Sequence, residues 1–173
     1  MIVEKLSRCA VAVLTLAACS PALDWREVRP PDSGLRALFP CKPEHMQREI
    51  ALAGAPVAMG LVACTTGGAT YALMHAAVDD PARVTPALQQ LRAAAAANVG
   101  GTQRVVAPMM VAGMTPNSQA ERIEIDGLGV RGETVREHAG FFVKGTRVFQ
   151  ATVIGERPDA AAVETFFSAL TLK

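Results

Sequence analysis

Only two stretches between Trp25 and Lys173 carry a helical period, and almost everything else alternates with period two. Such a chain must build its core from a sheet, with few helices to cover it. "LRALFP" sets Leu35, Ala37 and Phe39 on one side and stops at Pro40, so it reads as a strand. "HMQREIAL" and "PVAMGLVACT" read as a hairpin turned at Ala53 to Pro56, where Gly and Pro suit a turn. After Gly67-Gly68, "ATYALMHAAV" is a nearly unbroken apolar run, which predicts a strand covered on both faces. The character then changes. Thr85 is placed as a helix N-cap and Pro86 as its first residue, with Leu88, Leu91 and Ala95 on one face and Gly100-Gly101 as the stop. "TQRVVAPMMVAG" and "SQAERIEIDG" are two further strands joined around "MTPN". "GVRGETVREHAG" and "FFVKGTRVFQATVIG" continue the β-pattern, with a turn at Lys144-Gly145. Pro158 opens a last helix striped by Val163, Phe166, Phe167 and Leu170. The order predicts an α+β fold: an antiparallel β-sheet with helices packed on it.

The chain begins differently. Lys5 and Arg8 precede an uncharged run from Cys9 to Ala18. A bilayer span needs about 20 apolar residues, so this run is too short to cross as a helix. It has the length of the apolar part of a secretory signal peptide. Its exit, Leu16-Ala17-Ala18-Cys19, resembles the lipobox of bacterial lipoproteins. That resemblance implies cleavage between Ala18 and Cys19, a diacylglyceryl group on the Cys19 thiol, and attachment to membrane through the N-terminal lipid. Ser20 follows the cysteine. By resemblance to enterobacterial sorting rules, in which an aspartate there favours the inner membrane, the periplasmic face of the outer membrane is expected. The expected organisation is a signal peptide over 1–18, a lipidated N-terminus and tether over 19–33, and one domain over 34–173. A short strand is expected where Trp25 and Val28 can pack.

From Cys19 onward there are 155 residues with fifteen basic and fifteen acidic side chains. That length suits one domain with a real core. No basic block exists, so nucleic acid is not expected as a partner. With Cys9 in the signal and Cys19 lipidated, Cys41 and Cys64 are left, and two cysteines in an oxidising compartment most simply form a disulfide.

"WREVRPPDSGLRALFPCKP", the middle helix after "ATYALMHAAV", the hairpin "FFVKGTRVFQATVIG" and the closing "FFSALTLK" together resemble the PsbP-like fold group. That group includes photosystem extrinsic subunits, a Ran-binding nuclear protein and many bacterial lipoproteins. The resemblance spans about residues 25–173 and implies an α-β-α sandwich with a binding or assembly role. It brings no functional residue with it, and the Cys41–Cys64 pair departs from the plant members.

Candidate chemistry is sparse. His45, His75 and His138 lack metal-ligand spacing, and His75 reads as packed while His138, near Gly140, reads as exposed at a bend. No serine sits in a nucleophile elbow. "CTTGG" lacks the Walker lysine and reads as a turn. Glu124 and Asp126 share a face of "ERIEIDG" and "REH" (136–138) follows the same rule, as half-exposed strands do. Met109, Met110 and Met114 are a weak candidate for copper, since thioethers are soft ligands, but Met also fills cores. The expected protein is therefore a lipid-anchored binding or accessory module with an envelope protein partner, no cofactor and no catalytic constellation. The alternatives are a small-ligand or copper carrier, an enzyme with an unrecognised pocket, or an envelope spacer. A concave pocket gathering Glu124, Asp126 or a histidine would favour a ligand-binding role.

Overall fold

The computed structural model describes residues 23–173. The lipobox, Cys19 included, lies outside the described residues. Among the described residues, no helix is long and apolar enough to cross a membrane.

Among the described residues, ten strands and two helices follow the order read from the sequence, except that "ETVREHAG" and "FFVK" join into one unbroken strand and a short strand is added at the end. They are β1 (Arg26–Val28), β2 (Leu35–Phe39), β3 (Glu44–Leu52), β4 (Ala55–Thr66), β5 (Ala69–Ala77), α1 (Val84–Val99), β6 (Thr102–Pro108), β7 (Glu121–Leu128), β8 (Thr134–Lys144), β9 (Arg147–Gly155), α2 (Ala160–Ser168) and β10 (Thr171–Leu172). Seven of the strands form one antiparallel sheet in the order β3-β4-β5-β9-β8-β7-β6. The chain runs β3-β4-β5, crosses the sheet as α1, and meanders back from the far edge until β9 closes against β5. A small antiparallel sheet, β1-β2-β10, lies apart from it. The fold is α+β, as the pattern of periods requires.

One core lies on each face. On one, α1 sets Leu88, Leu91, Ala95 and Val99 against Ile123, Ile125, Ala139 and Phe141. On the other, α2 and the small sheet bury Phe39, Tyr71, Phe142, Phe149, Phe166 and Phe167. Phe166 meets Phe39 and Tyr71 edge-on with ring centroids 5.3 and 5.5 Å apart, a favourable arrangement for aromatic quadrupoles.

Several boundaries differ from the sequence reading. The helix starts at Val84, ahead of Thr85, because "DDP" begins the turn first: Asp80 accepts from the Ala82 N–H at 2.8 Å and a 3-10 turn over Pro81–Arg83 feeds α1. Pro86 then sits inside the first helical turn, where its missing N–H has no intrahelical role. The β3–β4 turn is the pair Ala53-Gly54, both at positive φ, and Pro56 lies in β4 opposite Ala51. The β8–β9 turn is Gly145-Thr146, one residue later than expected. The folded unit also reaches into the segment read as tether. The Asp24 N–H donates to Pro40 O at 2.8 Å, β1 pairs with β2, and Val28 is buried. Finally, "TLK" is a strand: β10 pairs with β2, setting Leu172 opposite Leu35.

Candidate functional site

Neighbouring strands lie about 4.8 Å apart, so seven of them make a sheet about 29 Å wide. One helix with its side chains is about 10 Å across and cannot cover that face. α1 packs on β7, β8 and β9. Its N-terminal half is tied to the far edge: Gln90 accepts from the Ala53 N–H and donates to Ala51 O, while Arg83 donates to Leu52 O and Ala53 O. Its C-terminal end lies against β7, where Gly127 is so close to Val99 that a Cβ there would stand 2.3 Å from the Val99 carbonyl oxygen. The helix thus crosses obliquely and leaves the β3-β4-β5 side open. The result is a groove of about 510 Å³, a size common for small-molecule sites. Its walls are largely apolar, with Ile50, Met59, Leu61 and Met74 from the sheet and Leu91 and Ala95 from α1. Ala72 and Met74 face this space, so β5 is not fully covered on both faces as its apolar run had suggested.

At the floor of the groove sits Glu137, only 4% exposed. It belongs to the helix-facing set of β8, between Val135 and Ala139, and its cross-strand neighbours are Ile125 on β7 and Ile154 on β9. Burial pushes its carboxyl up to about 7, opposed only by a hydrogen bond from Thr152. Thr152 in turn accepts from Gln150 Nε2 at 3.1 Å. The floor therefore holds a relay of one amide, one hydroxyl and one carboxyl group set in apolar walls. The sequence reading took "REH" for part of an ordinary half-exposed strand and did not single out Glu137. The signal was present: with period two, Glu137 falls in the same row as Val135, Ala139, Phe141 and Val143.

The residues singled out from the sequence are distributed elsewhere. Cys41 and Cys64 form the expected disulfide. Glu124 pairs with Arg104 and lies 3.5 Å from His138 Nδ1. Asp126 accepts from Arg136 Nε at 2.7 Å, which holds its carboxyl below the usual range. These carboxylates are engaged in cross-strand ion pairs and do not converge on a cavity. His138 is not exposed at a bend. It lies within the continuous strand β8, largely buried, and burial lowers its pKa against the opposing pull of Glu124. Met109 is buried against Gly140, Met114 Sδ accepts from the Val111 N–H at 3.2 Å, and Met110 is 81% exposed, so the three sulfurs occupy three different surroundings. Among the described residues no cluster of His, Cys, Asp and Glu could hold a metal ion.

A second depression, of about 380 Å³, lies on the opposite face and gathers Asp32, His45, His75 and Arg147. His75 packs against Gly60, where a Cβ would stand 2.4 Å from its Nε2, and burial followed by Arg147 lowers its pKa. It is a packed residue, as expected, and also one wall of this depression.

No family model matches the chain, and a search of curated proteins finds no similar sequence.

Proposed function

We propose that this protein is an envelope lipoprotein that holds a small, largely apolar ligand in the groove between α1 and the open side of the sheet. The observation that carries this reading is the groove itself: about 510 Å³ of apolar-walled space with a single buried carboxyl group, Glu137, at its floor. Most small-molecule sites combine apolar walls with a few polar groups that fix orientation. The sequence reading named Glu124, Asp126 or a histidine for such a site; the groove gathers none of them and holds Glu137 instead, while His45 and His75 line the smaller depression on the other face.

The lipid anchor is part of the same proposal and rests on Leu16-Ala17-Ala18-Cys19. The Cys41–Cys64 disulfide suits an oxidising compartment and supports export. On this reading Cys19 holds the domain at the periplasmic face of the outer membrane. One helix on each face of an antiparallel sheet supports a PsbP-like architecture. An envelope protein partner is the second reading. It is favoured by Leu128 and Val130, exposed apolar residues on the rim of the groove.

Two measurements test the proposal. A neutral naphthyl probe should bind saturably at one site, and Ala94→Trp, which plugs the groove from the exposed side of α1, should abolish that binding. Saturable binding that survives Ala94→Trp would reject the groove. In cells fed a palmitate analogue, the label and membrane attachment should both be lost with Cys19→Ser. Retention of either would reject the anchor.

A further inference from the structure

The groove's chemistry is lopsided, and the imbalance bears on what it takes. An ionised carboxylate can accept about four hydrogen bonds. The protein offers Glu137 one side-chain donor, Thr152. Its flanking residues across the sheet, Ile125 and Ile154, supply none from their side chains. The groove lining contributed by α1, β4, β5 and β9 carries no charged group, and β3 contributes only Arg48. Arg48 is an exposed residue of β3 and is not among the influences on the Glu137 carboxyl. At the rim, Glu133 is engaged with the Arg131 N–H. Among the described residues, Glu137 is therefore a buried acid with no cation of its own.

Ligands answer that arrangement differently. A neutral or anionic ligand that displaces water above Glu137 forces the carboxyl to keep its proton, because a lone buried charge is strongly disfavoured. A ligand with a protonated amine supplies both the missing N–H donors and the missing charge, in surroundings where their attraction is only weakly screened.

We infer that the groove selects a cationic amphiphile: an apolar body, lodged against Met59, Met74 and Leu91, bearing one protonated amine that pairs with the Glu137 carboxylate. This assignment of ligand class rests on the groove being the binding site. Binding is then coupled to proton release from Glu137. Affinity for the amine rises with pH until the carboxyl is ionised.

The test uses three probes with the same eight-carbon chain: octylammonium, octanol and octanoate. Each is titrated calorimetrically into the full chain carrying Cys19→Ser, oxidised at Cys41–Cys64, and into the same chain with Glu137→Gln. At about pH 8, octylammonium should bind about tenfold or more tightly than octanol, and Glu137→Gln should erase that preference while leaving octanol binding in place. The preference should shrink at about pH 5.5, where Glu137 is protonated. Equal binding of all three chains, a preference for octanoate, or an amine preference that survives Glu137→Gln would overturn the assignment while leaving the groove as a binding site. Octanol affinity in the Glu137→Gln chain shows that the variant is folded and its groove open. If no chain binds either protein, the groove itself is rejected, and the ligand class with it.

Discussion

Glu137 sets a pH dependence that can be worked out in sign. Its carboxyl stands near 7 in the folded protein against 4.5 for the free side chain. Between those values the folded state keeps a proton that the unfolded chain has released. Stability attributable to Glu137 therefore falls as pH rises through that window and levels off above it. The shift corresponds to roughly 3 kcal/mol as an upper figure. His75 and His138 act oppositely: burial lowers the pKa of each, so just below the ordinary histidine value the unfolded chain binds more protons than the folded one and stability rises with pH. The difference between wild type and Glu137→Gln removes the histidines from the comparison. Urea unfolding from pH 4.5 to 8 should show the variant gaining on the wild type by up to about 3 kcal/mol. A flat difference would mean that Glu137 titrates as an ordinary exposed acid.

The junctions between elements set a second expectation. The end of α1 and β7 approach through Gly101 and Gly127, where an added Cβ would stand 2.3 Å from a backbone oxygen of the other element. Backbone on both sides has nowhere to go without shifting the helix, so Gly127→Ala should cost about 1–3 kcal/mol. At Gly60 the obstacle is the His75 ring, a side chain that can turn toward its depression. Thermal unfolding should therefore show a smaller loss for Gly60→Ala than for Gly127→Ala. The reverse order would mean that the His75 ring is more firmly held than the α1–β7 contact. Such approaches were not legible in advance. A Gly in a strand signals close contact or a bulge but does not say with what. The helix start shows a related limit, because two turn signals in series, Asp80-Pro81 and Thr85-Pro86, could each begin a helix, and only packing selects between them.

Across the whole molecule, the Cys41–Cys64 bond joins the segment after β2, in the small sheet, to β4 in the large one. Closing a loop with a sequence separation of 23 residues is worth about 3 kcal/mol in the chain-entropy account. Reduction, or Cys64→Ser, should lower the melting temperature by roughly 2–4 °C per kcal/mol lost in a domain of this size. An unchanged melting temperature in reductant would show that the two sheets hold their places without the bond. The sequence by itself determined the period of almost every element, hence an antiparallel α+β fold, and it paired the two cysteines by elimination. Those properties are local or combinatorial: period two, turn residues and a count of thiols. Only the tertiary structure decided where the candidate site lies. A groove exists because one helix is narrower than seven strands and crosses them obliquely. Glu137 matters because that crossing buries it beside open space. Neither the width nor the angle is encoded in any one segment, since both arise when β9 returns to pair with β5 and fixes the sheet beneath α1.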